Sequence, residues 1–155
     1  MQAERFHHFM QLIDGIHKSV SRIKLTYSPV LGVKSVHLFW LYELLSHPEG
    51  LTAAALAVKT GVDRSLISRE IEELRRGGYV TLGEGGGEKR KNYNSRIVLT
   101  DKGRELAGDI GEYALSVQDA ADAGVSEQEL ADMYRTLEKL NNNLMRVSET
   151  ATAQP

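Results

Sequence analysis

The stretch LTAAALAVKTGVDRSLISREIEELRR, residues 51–76, reads as two helices joined by a tight turn. Thr52 is placed as the N-cap of the first, with Leu51 and Leu56 at the spacing of a hydrophobic staple. Ala53, Ala54, Ala55 and Ala57 favour helix and carry no bulk, so a second helix can approach closely. Gly61 supplies the turn. Asp63 caps the second helix, with Val62 and Ile67 as its staple. Leu66, Ile67, Ile71 and Leu74 recur at helical spacing and are expected to face inward. Arg64, Ser65, Ser68 and Arg69 are then left for solvent in the first two turns. In a helix–turn–helix, the start of the second helix enters the major groove of DNA. Arginine reads guanine edges in a bidentate manner, and serine is short enough to bond a base edge or a phosphate. An ordinary exposed polar face is the competing reading. The alanine-rich helix, the turn glycine and both caps at the required spacings favour DNA.

Moving toward the C-terminus, Gly77-Gly78 ends the second helix. Tyr79-Val80-Thr81-Leu82 reads as a short strand, and Ser95-Arg96-Ile97-Val98-Leu99 as its returning partner. Between them lie Gly83-Glu84-Gly85-Gly86-Gly87 and a basic run containing Lys89, Arg90 and Lys91. The expectation is a β-hairpin with a long basic tip on a glycine tether. Such a tip can reach a phosphate backbone or a minor groove. Thr52, Lys89, Arg90, Lys91 and Arg96 are the candidate backbone or minor-groove contacts.

Both ends of the chain carry heptad seams. Phe6, Phe9, Ile13, Ile16, Val20, Ile23 and Tyr27 alternate at gaps of three and four. This predicts a helix that packs lengthwise on others and stops at Ser28-Pro29. Val33 to Ser46 is the next helix. Val36, Leu38, Phe39, Trp40, Leu41, Leu44 and Leu45 surround it, which predicts burial between layers. Thr100 can cap a helix with buried positions at Leu106, Ile110, Tyr113 and Val117, closed by Gly124. Ser126 and Glu129 form a capping box for a last helix with a seam at Leu130, Met133, Leu137, Leu140, Leu144 and Val147. Two terminal seams around a compact middle point to a dimerisation layer.

Taken in order, Leu51-Thr52, Leu56-Ala57, Gly61-Val62-Asp63-Arg64-Ser65-Leu66-Ile67-Ser68-Arg69, Gly78-Tyr79-Val80, a basic wing and Leu99-Thr100-Asp101-Lys102-Gly103 resemble the MarR family of transcriptional regulators. The resemblance covers nearly the whole chain. It implies a mainly α fold with a small β-hairpin wing: a winged helix–turn–helix flanked by N- and C-terminal dimerisation helices. It further implies a homodimer on palindromic double-stranded DNA, often a repressor, released in many members by a small aromatic or anionic ligand. The domains expected are an N-terminal dimerisation helix (1–33), the DNA-binding lobe (34–104), C-terminal dimerisation helices (105–148) and a frayed tail (149–155). The family often carries Asp-x-Arg at the wing tip; here those places hold Lys91 and Tyr93.

Charge agrees with this layout. Residues 1–50 hold five Lys/Arg and four Asp/Glu, residues 51–100 nine and six, and residues 101–155 five and eleven. The basic middle suits an anionic partner. The absence of cysteine excludes disulfides, thiolate zinc sites and thiol redox sensing. No two of His7, His8, His17, His37 and His47 lie at i, i+3 or i, i+4, so no metal is expected. Phe9, His17, His37, Trp40 and Tyr113 are candidates to line a ligand pocket with apolar walls. There is no nucleophile–base pair, and Gly85-Gly86-Gly87 lacks the strand–loop–helix context of a nucleotide site. Neither an enzyme nor a cofactor is expected. The lack of a signal-peptide pattern and of a long apolar stretch makes a cytoplasmic protein without a membrane span the expectation. A winged-helix protein–protein adaptor is the rival reading.

Three adjacent cations on a glycine tether are expected to hold no fixed base-reading geometry and to act mainly through phosphate charge. Replacing Lys89, Arg90 and Lys91 together by Ala should flatten the dependence of log K on log salt by up to about five units for a dimer. Site preference should stay unchanged. Titrations at several salt concentrations on specific and random duplexes check both.

Overall fold

A computed structural model of the chain describes residues 2–83 and 95–152. The chain divides into two compact units, Met1–Glu112 and Tyr113–Pro155.

In the first unit, α1 (Gln2–Tyr27) stops where Ser28-Pro29 was expected to stop it. The next helix, α2 (Ser35–Leu45), is buried at His37, Leu38, Trp40, Leu41 and Leu44. The helix–turn–helix follows as α3 (Ala53–Thr60) and α4 (Arg64–Arg76). Both expected caps are present. Thr52 Oγ1 accepts the amide of Ala55 at 3.1 Å, and Asp63 Oδ1 accepts that of Ser65 at 2.8 Å. Each such cap stabilises a helix by roughly 1 kcal/mol. Gly61 ends α3 at φ +67°, a left-handed conformation that a side chain would strain.

The strands are β2 (Val80–Gly83) and β3 (Arg96–Leu99), paired antiparallel with Val80 opposite Leu99 and Leu82 opposite Ile97. A third strand, β1 (Leu51–Thr52), pairs with β3 on its other side, giving the order β1-β3-β2. Sequence reading missed it because two residues are too short for any alternation. Thr52 serves two ends at once: its extended backbone, at φ −72° and ψ 157°, completes the strand and also suits an N-cap. The core joins α2 to Leu56, Ile67, Ile71, Leu74, Val80, Ile97, Leu99, Leu106 and Ile110. Leu41, Leu56 and Ile67 are fully enclosed, and each such residue contributes roughly 1.5–3 kcal/mol.

The segment after β3 acts as a knot. Thr100 Oγ1 accepts the amide of Gly103 at 3.0 Å and donates to the carbonyl of Gly78 at 2.7 Å. Lys102 Nζ donates to the carbonyl of Gly77 at 2.8 Å and lies 4.3 Å from the centre of the Tyr79 ring. This ties the start of α5 (Asp101–Ala121) to the end of α4.

In the second unit, α5 ends before Gly124, and the expected capping box opens α6 (Glu127–Thr152). The Ser126 amide donates to Glu129 Oε2 at 2.9 Å, while the Glu129 amide donates to Ser126 Oγ at 3.3 Å. Tyr113 and Val117, expected to be buried, are half-buried. Residues 149–152 were expected to fray but are helical. No glycine or proline interrupts the chain between 127 and 152, and the Thr150 hydroxyl donates to the Arg146 carbonyl at 2.8 Å.

Two glycines of α5 should respond oppositely to alanine. A Cβ on Gly103 would stand 1.9 Å from the carbonyl oxygen of Tyr79. Backbone cannot yield as a side-chain tip can, so Gly103→Ala should destabilise by about 1–3 kcal/mol. A Cβ on Gly108 meets nothing within 4 Å. Gly108→Ala should therefore stabilise by about 0.5–1 kcal/mol, since alanine costs less backbone entropy in a helix. Urea denaturation of the two variants, read as opposite shifts of the midpoint, checks the pair.

Candidate nucleic-acid interface

The candidate surface is built on α4. Ile67, Ile71 and Leu74 are buried against the core, which turns the opposite face outward. Ser65 and Arg69 are one turn apart, as are Arg64 and Ser68, so the four group along one side of the helix. Ser65, Ser68 and Arg69 are exposed, and Arg64 is half-buried. The four residues expected to enter a groove are thus brought together.

Their hydrogen bonds rank them. Ser65 Oγ donates to Asp63 Oδ1, the carboxylate that also caps the helix. Ser68 Oγ donates to the carbonyl of Arg64 at 3.1 Å. Both hydroxyl protons are thus engaged locally, and each serine offers DNA chiefly its oxygen. Of the two arginines on this face, whose donors fit a base edge, Arg69 is the exposed one and Arg64 is half-buried. The Ser65 hydroxyl, and then its amide, hold the Asp63 carboxyl below the usual range, with Arg69 adding a smaller attraction. Asp63 is therefore ionised at neutral pH, where it favours the positive N-terminus of α4.

The other expected contacts are dispersed. Thr52 is half-buried, and its oxygen serves as the α3 cap. Arg96 is exposed on β3, but its Nη1 donates to the Gly50 carbonyl at 2.7 Å, tying the sheet to the turn before α3. Lys89, Arg90 and Lys91 lie outside the described residues.

The residues expected to line a ligand pocket differ in burial. His37 and Trp40 are each only 1% exposed, so they belong to the core. They lie on the enclosed face of α2 with Leu38, Leu41 and Leu44. Burial around the whole helix was expected, but Phe39 is exposed, as is Tyr42, because the neighbouring elements cover one side of α2 only. The two rings lie 5.9 Å apart. On α1, Phe9 is half-buried and His17 is exposed. Tyr113 is half-buried in the second unit.

One polar cluster escaped sequence reading. Lys34 Nζ donates to Glu70 Oε2 at 3.0 Å and also bonds Glu73. His37 Nε2 lies 2.9 Å from the same Glu70 Oε2. Lys34 holds the Glu70 carboxyl below the usual range, so it is ionised and only accepts; His37 therefore donates from Nε2. Burial pushes the His37 pKa down, opposed by Glu70, which keeps the ring neutral at pH 7. Glu73 and Glu70 push the Lys34 pKa up. The donor atoms of His37, Glu70 and Glu73 lie within 4.8 Å of one another, a set able to hold a metal ion. The Lys34 ammonium already bonds both carboxylates. A separation of more than thirty residues hid this cluster from any search for local spacing.

Among the described residues, no helix is long and apolar enough to cross a membrane. Residues 31–91 match the MarR family. Over 89% of this chain and 98% of the other, the structure is similar to that of the transcriptional regulator PA3341, at 26% identity and a TM-score of 0.72. A putative MarR family transcriptional regulator from Listeria monocytogenes, solved in complex with a 26mer DNA, shares the fold over 87% of each chain, at 21% identity and a TM-score of 0.78. So does a MarR/EmrR family regulator from Acinetobacter sp. ADP1, over 90% of this chain and 96% of that one, at 19% identity and a TM-score of 0.74. Sequence match and fold agree with the helix–turn–helix, its capped second helix and the three-stranded sheet: over residues 31–91 the chain is similar to the MarR family, and it shares the winged helix fold of these regulators.

Proposed function

We propose that this protein is a homodimeric transcriptional regulator that occupies a palindromic operator and represses by occupancy. The observation that carries the reading is the outward face of α4, where Arg64, Ser65, Ser68 and Arg69 lie along one side in the first two turns. Likeness to a regulator solved with DNA supports it. Arg69 is the principal base reader; Thr52, Arg96 and the basic run at Lys89, Arg90 and Lys91 contact the backbone. Release by a small aromatic or anionic ligand is part of the proposal and rests on the family resemblance.

The dimer rests on exposed apolar seams. On α1, Phe6, Ile16 and Val20 are 65%, 61% and 46% exposed. On α6, Met133, Leu137, Leu140, Leu144 and Val147 are also exposed. Apolar stripes of this length on single helices are unfavourable in water unless covered, and a second copy supplies matching stripes.

Footprinting on the protein's own upstream region tests the reading directly. A protected palindrome supports it; no protection on any duplex, with capture of a protein instead, favours an adaptor. Arg69→Ala should weaken the specific site by about 1–3 kcal/mol more than it weakens random DNA. An equal loss on both would make Arg69 a phosphate contact. Leu137→Glu would bury an unpaired charge in the proposed interface and should yield monomer in sedimentation. A stable dimer would place the interface elsewhere.

A further inference from the structure

Lys34 and His37 stand at the start of α2, and Glu70 and Glu73 one turn apart on α4. One oxygen, Glu70 Oε2, receives both the Lys34 ammonium at 3.0 Å and the His37 ring nitrogen at 2.9 Å. Ile67, Ile71 and Leu74 of α4 join the same apolar core as Leu38, Leu41 and Leu44 of α2. Apolar packing is non-directional and tolerates a small rotation of a helix about its axis. Two hydrogen bonds converging on one carboxylate do not. Glu70 is the next residue to Arg69, so any turn of Glu70 is a turn of Arg69.

We propose that Lys34 and His37 are positioning residues for DNA recognition: clamped on Glu70 and Glu73, they set the rotation of α4 on α2 and thereby the direction in which Arg69 meets the groove. The proposal rests on the DNA-binding reading above. A stability role explains the cluster less well. The Lys34 side chain is 50% exposed, and ion pairs of that kind contribute little to stability. His37, by contrast, is sealed in the core, where a misplaced polar group is costly. The cluster therefore specifies one geometry more than it adds energy.

Charge makes the test decisive. Removing the Glu70 carboxylate takes a negative group from beside Arg69, which by charge alone should tighten binding to every DNA. Loss of positioning acts the other way, and on the specific site only. The experiment uses the full chain, the duplex that it enriches from a randomised pool, and poly(dI-dC) as the nonspecific probe. Glu70→Ala should weaken the enriched duplex by about tenfold or more, the scale of one base contact, with nonspecific binding unchanged or tighter. Glu70→Gln, which keeps the reach and an acceptor oxygen, should restore most of the loss. A proportional change on both probes overturns the proposal. If Glu70→Ala fails to fold by circular dichroism, Lys34→Met replaces it and must lower the specific-to-nonspecific ratio; an unchanged ratio overturns the proposal equally. If the unmodified protein enriches no sequence, the DNA-binding reading itself fails, and that failure appears before any variant is made.

Discussion

The winged helix lobe depends on the enclosed face of α2. The face formed by His37, Leu38, Trp40, Leu41 and Leu44 has to be covered, while Phe39 and Tyr42 remain exposed. α1, α3 and β3 supply part of that cover, and residues of α4 and α5 complete the same core. Trp40, Leu41 and Leu44 are enclosed as a result. α4 rests on this core through Ile67, Ile71 and Leu74 and so presents its outward face in one orientation, as the proposed role in groove recognition requires.

Polar groups refine what the core begins. The knot after β3 draws the Gly103 backbone against the Tyr79 carbonyl and fastens the end of α4 to the start of α5. At the other end, Asp63 caps α4 and engages the Ser65 hydroxyl. Along its side, Glu70 and Glu73 meet Lys34 and His37. Three polar ties thus bear on one helix of thirteen residues. That density suits an element whose orientation matters more than its contribution to stability.

The same ties narrow the proposed reading surface. Side chains that look equivalent in sequence are not equivalent once their local partners are known. Ser65 and Ser68 turn their protons back to their own helix, Thr52 caps α3, and Arg96 anchors β3. Short polar side chains at helix starts favour nearby backbone and cap partners over distant ones. Arg69, long and exposed, escapes that competition.

Periodicity and capping chemistry are local properties, and they were legible in the residues alone. The ends of α1 at Ser28-Pro29, the caps at Thr52, Asp63 and Thr100, the turn at Gly61 and the box at Ser126 and Glu129 all follow from neighbours within four residues. So did the outward face of α4. What required the folded chain were relations across long separations: strand β1, too short to have a pattern until β3 lay beside it; the burial of His37 and Trp40, decided by everything around α2; and the meeting of Lys34 and His37 with Glu70 and Glu73. A sequence determines each residue's local preferences. Only tertiary structure decides which two distant polar groups share one small volume, because that depends on how every intervening element packs.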